Sequence, residues 1–68
     1  MLDEIKNQIE EFGECEISVN ADKMLRVDNT GFNCIINFDG EELVFYQTKN
    51  AINFLQSLEE MGLELEAR

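Results

Sequence analysis

The apolar residues change their period twice along the chain, and this restricts the fold more than any other feature. Leu2, Ile5, Ile9 and Phe12 recur at spacings of three, four and three, the stripe of an amphipathic helix. Asp3 and Glu4 fall in its first turn, where the helix dipole favours anions, and Gly13 supplies a left-handed stop. A helix is predicted over residues 2–12. From Glu14 the period becomes two: Cys15, Ile17 and Val19 alternate with Glu14, Glu16 and Ser18, the pattern of a half-buried strand.

Leu25 and Val27 flank Arg26 as a shorter second strand. Phe32, Cys34, Ile36 and Phe38 alternate with Asn33, Ile35 and Asn37 as a third. Asp39-Gly40 is a strong hairpin signal, because both central residues of a type I′ turn need positive φ. It leads into a fourth strand, Glu42 to Gln47. The two-residue loop sets Phe38 opposite Glu41, Ile36 opposite Leu43, Ile35 opposite Val44 and Cys34 opposite Phe45. A turn at Asp28–Gly31 would set Val27 opposite Phe32 and Leu25 opposite Cys34. Matching Val19 to Leu25 then needs a five-residue loop, Asn20 to Met24, or a bulge.

The helical period returns near Thr48 or Asn50, either a suitable N-cap, and carries Ala51, Ile52, Phe54, Leu55, Leu58 and Met61 inward. Gly62 closes this second helix, and Leu63-Glu64-Leu65-Glu66 alternates again as a short edge strand or a frayed tail. No proline interrupts any of these segments. The order α-β-β-β-β-α, with a short C-terminal strand as an extension, predicts an α+β two-layer sandwich. In it, a four-stranded antiparallel meander is flanked by the N- and C-terminal helices. Residues 1–68 make one small acidic domain, since a chain this short buries only roughly 60% of its unfolded surface.

Charge then narrows the chemistry. Fifteen acidic side chains oppose five basic ones, a net charge of −10 with no histidine. The acids are spread from Asp3 to Glu66, as on a folded surface, and the hydrophobic content of 44% supports a packed core. Self-repulsion lowers stability, so the acidity calls for a reason, halophilic adaptation or a solubility bias being the plainest. The opening MLDEIKNQIEEF is acidic where a signal peptide would be basic, and no apolar run approaches the about 20 residues of a membrane span. Cys15 and Cys34 are too few for a disulfide framework. A cytoplasmic location and no membrane partner are expected.

Without histidine there is no Ser-His-Asp or Cys-His arrangement, and Ser18 and Ser57 lack any activating context. Cys34, within a hydrophobic alternation, reads as an apolar filler with a raised pKa, and Cys15 likewise as core. Two thiols are too few for a zinc site, and Asp28-Asn29-Thr30-Gly31 holds only a fragment of a calcium loop. The expectation is no enzyme, no metal and no cofactor. Direct binding of nucleic acid is disfavoured, because acidic surface repels phosphate.

Two features remain. Glu10 and Glu11 end the first helix and Glu59 and Glu60 the second, at the negative pole of each dipole. Read as function rather than solubility, Glu14, Glu16, Glu41, Glu42, Glu59, Glu60, Glu64 and Glu66 present charge to a basic groove. The second is an apolar row on the outer sheet face, Met24, Ile35 and Val44 with Tyr46 diagonal to Ile35, which fits either ordinary surface or a partner site ringed by acids. In size, acidity and lack of catalytic groups the chain resembles, by composition and not by any motif, the DNA-mimic inhibitors of phages and other mobile elements. The expected function is a small acidic interaction module that binds a basic protein, of the kind that holds nucleic acid, as an inhibitor. The alternative is a homodimeric structural, adaptor or chaperone-like protein that buries the outer sheet face between subunits.

Overall fold

A computed structural model describes residues 2–68. Within them the chain forms α1 (Leu2–Phe12), β1 (Glu14–Val19), β2 (Lys23–Asn29), β3 (Cys34–Phe38), β4 (Glu41–Phe45), α2 (Thr48–Glu60) and β5 (Leu65–Ala67). The strands make one antiparallel sheet in the order β4-β3-β2-β1-β5. This is the α+β meander expected, widened to five strands because the tail returns to pair with β1. Among the described residues no helix is long and apolar enough to cross a membrane.

Both helices lie on one face, α1 over β1, β2 and β5, and α2 over β3 and β4. The alternation explains why: Cys15, Ile17 and Val19 of β1, Leu25 and Val27 of β2, and Cys34 and Ile36 of β3 all point to that side and are buried. Ile5 and Ile9 from α1, Ala51, Leu55 and Leu58 from α2, and Leu65 of β5 close over them. Phe45 and Phe54 stack at the β4 margin with ring centroids 5.6 Å apart. At about 25 cal/mol per Å² of apolar surface, this single layer is the main source of stability.

The Asp39-Gly40 turn has both residues at positive φ, 55° and 80°, and the β3–β4 register is the one the turn dictates. The other two connections differ from expectation. Val19 pairs with Lys23 and Ile17 with Leu25, so the loop is the three residues Asn20-Ala21-Asp22, with Asn20 and Ala21 left-handed. Asn20 tolerates this because its backbone N–H and side-chain oxygen both bond Glu64, at 2.8 and 2.9 Å. The next loop is Thr30–Asn33, not Asp28–Gly31: Val27 faces Ile36, Leu25 faces Phe38 and Cys34 faces Asn29. Thr30 and Asn33 close it, the Thr30 N–H donating to the Asn33 carbonyl at 3.0 Å and the Asn33 N–H to the Thr30 hydroxyl at 3.2 Å. Phe32, expected on the core face, is therefore lifted into solvent at 92% exposure.

Three further expectations fail at helix ends. Gln47, and neither Thr48 nor Asn50, is the N-cap of α2; Thr48 is already helical and its hydroxyl accepts from Asn29 Nδ2 at 3.3 Å. Met61 is exposed, because α2 ends in a Schellman turn: Leu63 N–H bonds Leu58 O and Gly62 N–H bonds Glu59 O, with Gly62 at φ +99°. That turn swings Met61 out and packs Leu63 in its place. Phe12 is also exposed, on a flank of β1 that β5 does not reach, since β5 pairs only with Ile17–Val19.

Candidate protein interface on the open sheet face

With both helices on one side, the opposite face of the sheet carries no second layer among the described residues. Strand register orders its side chains in rows. One row is Val44–Ile35–Asp28–Glu14, the next Glu42–Asn37–Arg26–Glu16, and the third Met24–Ser18–Glu66. Arg68 extends the second row, its N–H donating to the Glu16 carbonyl at 2.9 Å. Rows lie about 6.7 Å apart along the strands, and neighbours within a row about 4.8 Å.

The expected acidic set does not form one array. Glu14, Glu16, Glu42 and Glu66 lie on the open face. Glu41 sits at the hairpin end with the orientation of the helix side. Glu59 and Glu64 line a shallow depression of about 530 Å³ with Ser18, Leu63 and Glu66, below the end of α2. Glu60 is exposed on the last turn of α2. Glu59, Glu64 and Glu66 are close neighbours in the chain, and folding sets all three beside Ser18, 41 to 48 positions earlier.

Sequence reasoning named Glu14 but missed its cation at the centre of the face, Arg26. Arg26 donates through Nη2 to Glu14 and through Nε to Asp28, at 3.1 and 3.3 Å to its two oxygens. The bond to Asp28, then the charges of Asp28 and Glu14, hold the guanidinium pKa above its ordinary value. Two carboxylates of the face are thereby matched internally. Glu16, Glu42 and Glu66 make no ion pair among the described residues. The signal for this triad was the alternation itself, which puts positions 14, 26 and 28 on one face once the β1–β2 loop has an odd length.

The apolar row is shorter than expected. Ile35 lies between Val44 and Asp28, and Val44 is 50% exposed. Tyr46, just past the end of β4, is 85% exposed. Met24 is not their neighbour: it pairs with Ser18 two rows away, where Arg68 Nη1 approaches its sulfur at 3.9 Å. The three-residue turn and the Thr30–Asn33 loop together move it there.

Both thiols are buried on the helix side, and burial, with nearby Glu4 for Cys15 and Asp28 for Cys34, raises each pKa. Cys15 Sγ donates to Gln8 Oε1 at 3.4 Å. Among the described residues no three His, Cys, Asp or Glu side chains converge as a metal-holding group. The face can therefore offer charge, backbone and apolar contact. Comparison with known protein families, curated proteins and solved structures finds no significant match for the chain.

Proposed function

We propose that the protein is a small acidic interaction module whose open sheet face binds a basic protein surface, of the kind that otherwise holds nucleic acid, and so inhibits it. One observation carries this reading: the sheet displays Glu16, Glu42 and Glu66 outside any ion pair among the described residues, Glu16 standing in its row between Arg26 and Arg68, in a molecule of net charge −10. Glu16 and Glu66 stand on adjacent strands one row apart, about 8 Å, and Glu42 lies three strands from Glu16, about 14 Å. Carboxylates held on a sheet in this way compete with phosphates for lysine and arginine without needing to order a flexible chain. Steering by the net charge speeds encounter, and the Ile35/Val44 corner slows release. The same charge opposes pairing of two copies face to face, and displacement of Met24 removes part of the apolar area such a dimer would bury.

The immobilised protein should retain basic proteins from a lysate at low salt, release them steeply as salt rises, and release them to heparin, a competing polyanion. The triple variant E16K/E42K/E66K should lose that retention while keeping its circular dichroism spectrum. Retention that is equal for the variant and indifferent to salt would overturn the proposal.

A further inference from the structure

The outer edge of β4 is the longer of the two sheet edges: five residues, Glu41–Phe45, paired in unbroken register to β3 on one side only. The ladder pattern identifies which backbone groups are left over. A two-residue turn closes on a hydrogen-bonded pair, here Phe38 with Glu41, so Leu43 and Phe45 also bond β3. The Arg68-to-Glu16 and Asn20-to-Glu64 bonds at the far side of the sheet obey the same alternation. The N–H and C=O of Glu42 and Val44 therefore point outward, away from β3.

Edges of this kind are usually blunted by lysine, proline or a bulge, and β4 has none of them. It carries Glu41 and Glu42 at one end, and the partly covered Leu43 and Phe45 with the exposed Val44 at the other. Both sides of the strand therefore read acidic, then apolar. An added strand places one side chain opposite each: aliphatic residues opposite Phe45, Val44 and Leu43, cationic ones opposite Glu42 and Glu41. On the helix side, the residue opposite Phe45 would rest beside the Phe45–Phe54 pair.

A second copy of β4 does not fit. Antiparallel pairing centred on Leu43 would set Glu42 against Val44 and Glu41 against Phe45, while parallel pairing would stack Glu on Glu. Either way two molecules of charge −10 would meet.

Resting on the acidic-module reading above, we propose that the β4 edge takes an extended segment of the basic partner as a sixth, antiparallel strand. In that segment three aliphatic residues are followed by two lysines or arginines.

The probe is a capped synthetic heptapeptide, Thr-Val-Ile-Val-Lys-Lys-Thr, added to isotope-labelled protein and followed by amide hydrogen exchange. Exchange at the Glu42 and Val44 amides should slow by about tenfold or more, with Leu43, already bonded to β3, little changed. Val44→Pro removes an outward N–H that β3 does not use and should abolish the effect. Independently of whether that variant folds, E41K/E42K should reverse the preference, protecting its edge with Thr-Val-Ile-Val-Glu-Glu-Thr instead. Unchanged exchange at millimolar peptide would overturn the inference, as would equal protection by both peptides or concentration-dependent protection without peptide. Peptide shifts confined to Glu16 and Glu66 would also overturn the strand addition while leaving the acidic face as the binding surface; loss of lysate retention in E16K/E66K, which leaves β4 unchanged, tests that face separately.

Discussion

Raising sodium chloride from about 10 to about 150 mM, which shortens the Debye length from about 30 to about 8 Å, should stabilise this protein strongly at pH 7. The observed radius of gyration of 10.7 Å corresponds to a sphere of about 14 Å radius. Ten uncompensated charges on that sphere cost about 10 kcal/mol at the lower salt and about 5 kcal/mol at the higher, by Coulomb's law in water with Debye screening. The unfolded chain, with a radius of gyration of about 25 Å, is relieved of only about 2 kcal/mol over the same range. The difference, about 3 kcal/mol, favours the folded state. Typical stabilities per residue give a chain of 68 residues about 3–10 kcal/mol in all, so the salt contribution is a large part of it. Thermal melts followed by circular dichroism should show Tm rising by about 12–24 °C. Repeating them near pH 4.1, where the net charge vanishes, should remove the slope. A rise below about 4 °C at pH 7, or an equal rise at the isoelectric pH, would refute the claim that the acids act as a field rather than as local pairs.

Leu55→Ala empties a fully buried site beneath the sheet and should cost about 2–5 kcal/mol in urea denaturation, against much less for truncating exposed Met61. Gly40→Ala meets no atom within 4 Å, so its penalty, about 1 kcal/mol, is that of the positive φ alone and should leave the β3–β4 register intact by amide exchange. Cys15 and Cys34 should resist alkylation until the protein unfolds, because both thiols are buried with raised pKa values. Their contribution to stability is fully present below the ordinary thiol pKa of about 8.5 and is lost as pH climbs through the raised folded values. Melts in alkaline buffers should therefore fall, and less so for Cys15→Ala/Cys34→Ala.

While the alternation of the tail allows either an edge strand or a frayed end, helix α1, strand β1 and the β3–β4 hairpin were legible in the residues. Each rests on a local period or a turn whose φ requirements only certain residues meet. The face assignment also survived two wrong loops. The β1–β2 loop has three residues where five were expected, and the β2–β3 loop is displaced by two positions, yet both changes preserve parity. Ile17, Leu25, Val27 and Ile36 consequently stayed inside. Errors of an even number of residues slide partners along a strand without turning any side chain over.

The chain alone therefore determined which side chains face inward along the middle of each strand and helix, because that follows from local spacing. It did not do so at the element ends, where Phe12, Phe32 and Met61 turn out to solvent. Tertiary structure decided what no single segment contains. Closure of the Asn20–Asp22 and Thr30–Asn33 loops set which residues stand side by side, so Arg26 met Glu14 and Asp28, and Met24 left the Ile35/Val44 corner. Placement of both helices on one layer exposed the other, and return of the tail to β1 made β4 an outermost strand. The physical reason is that periodicity is a short-range property of the backbone, whereas register and strand order come from competing long-range pairings. Those are settled by the combined cost of closing loops and gain of burying the core.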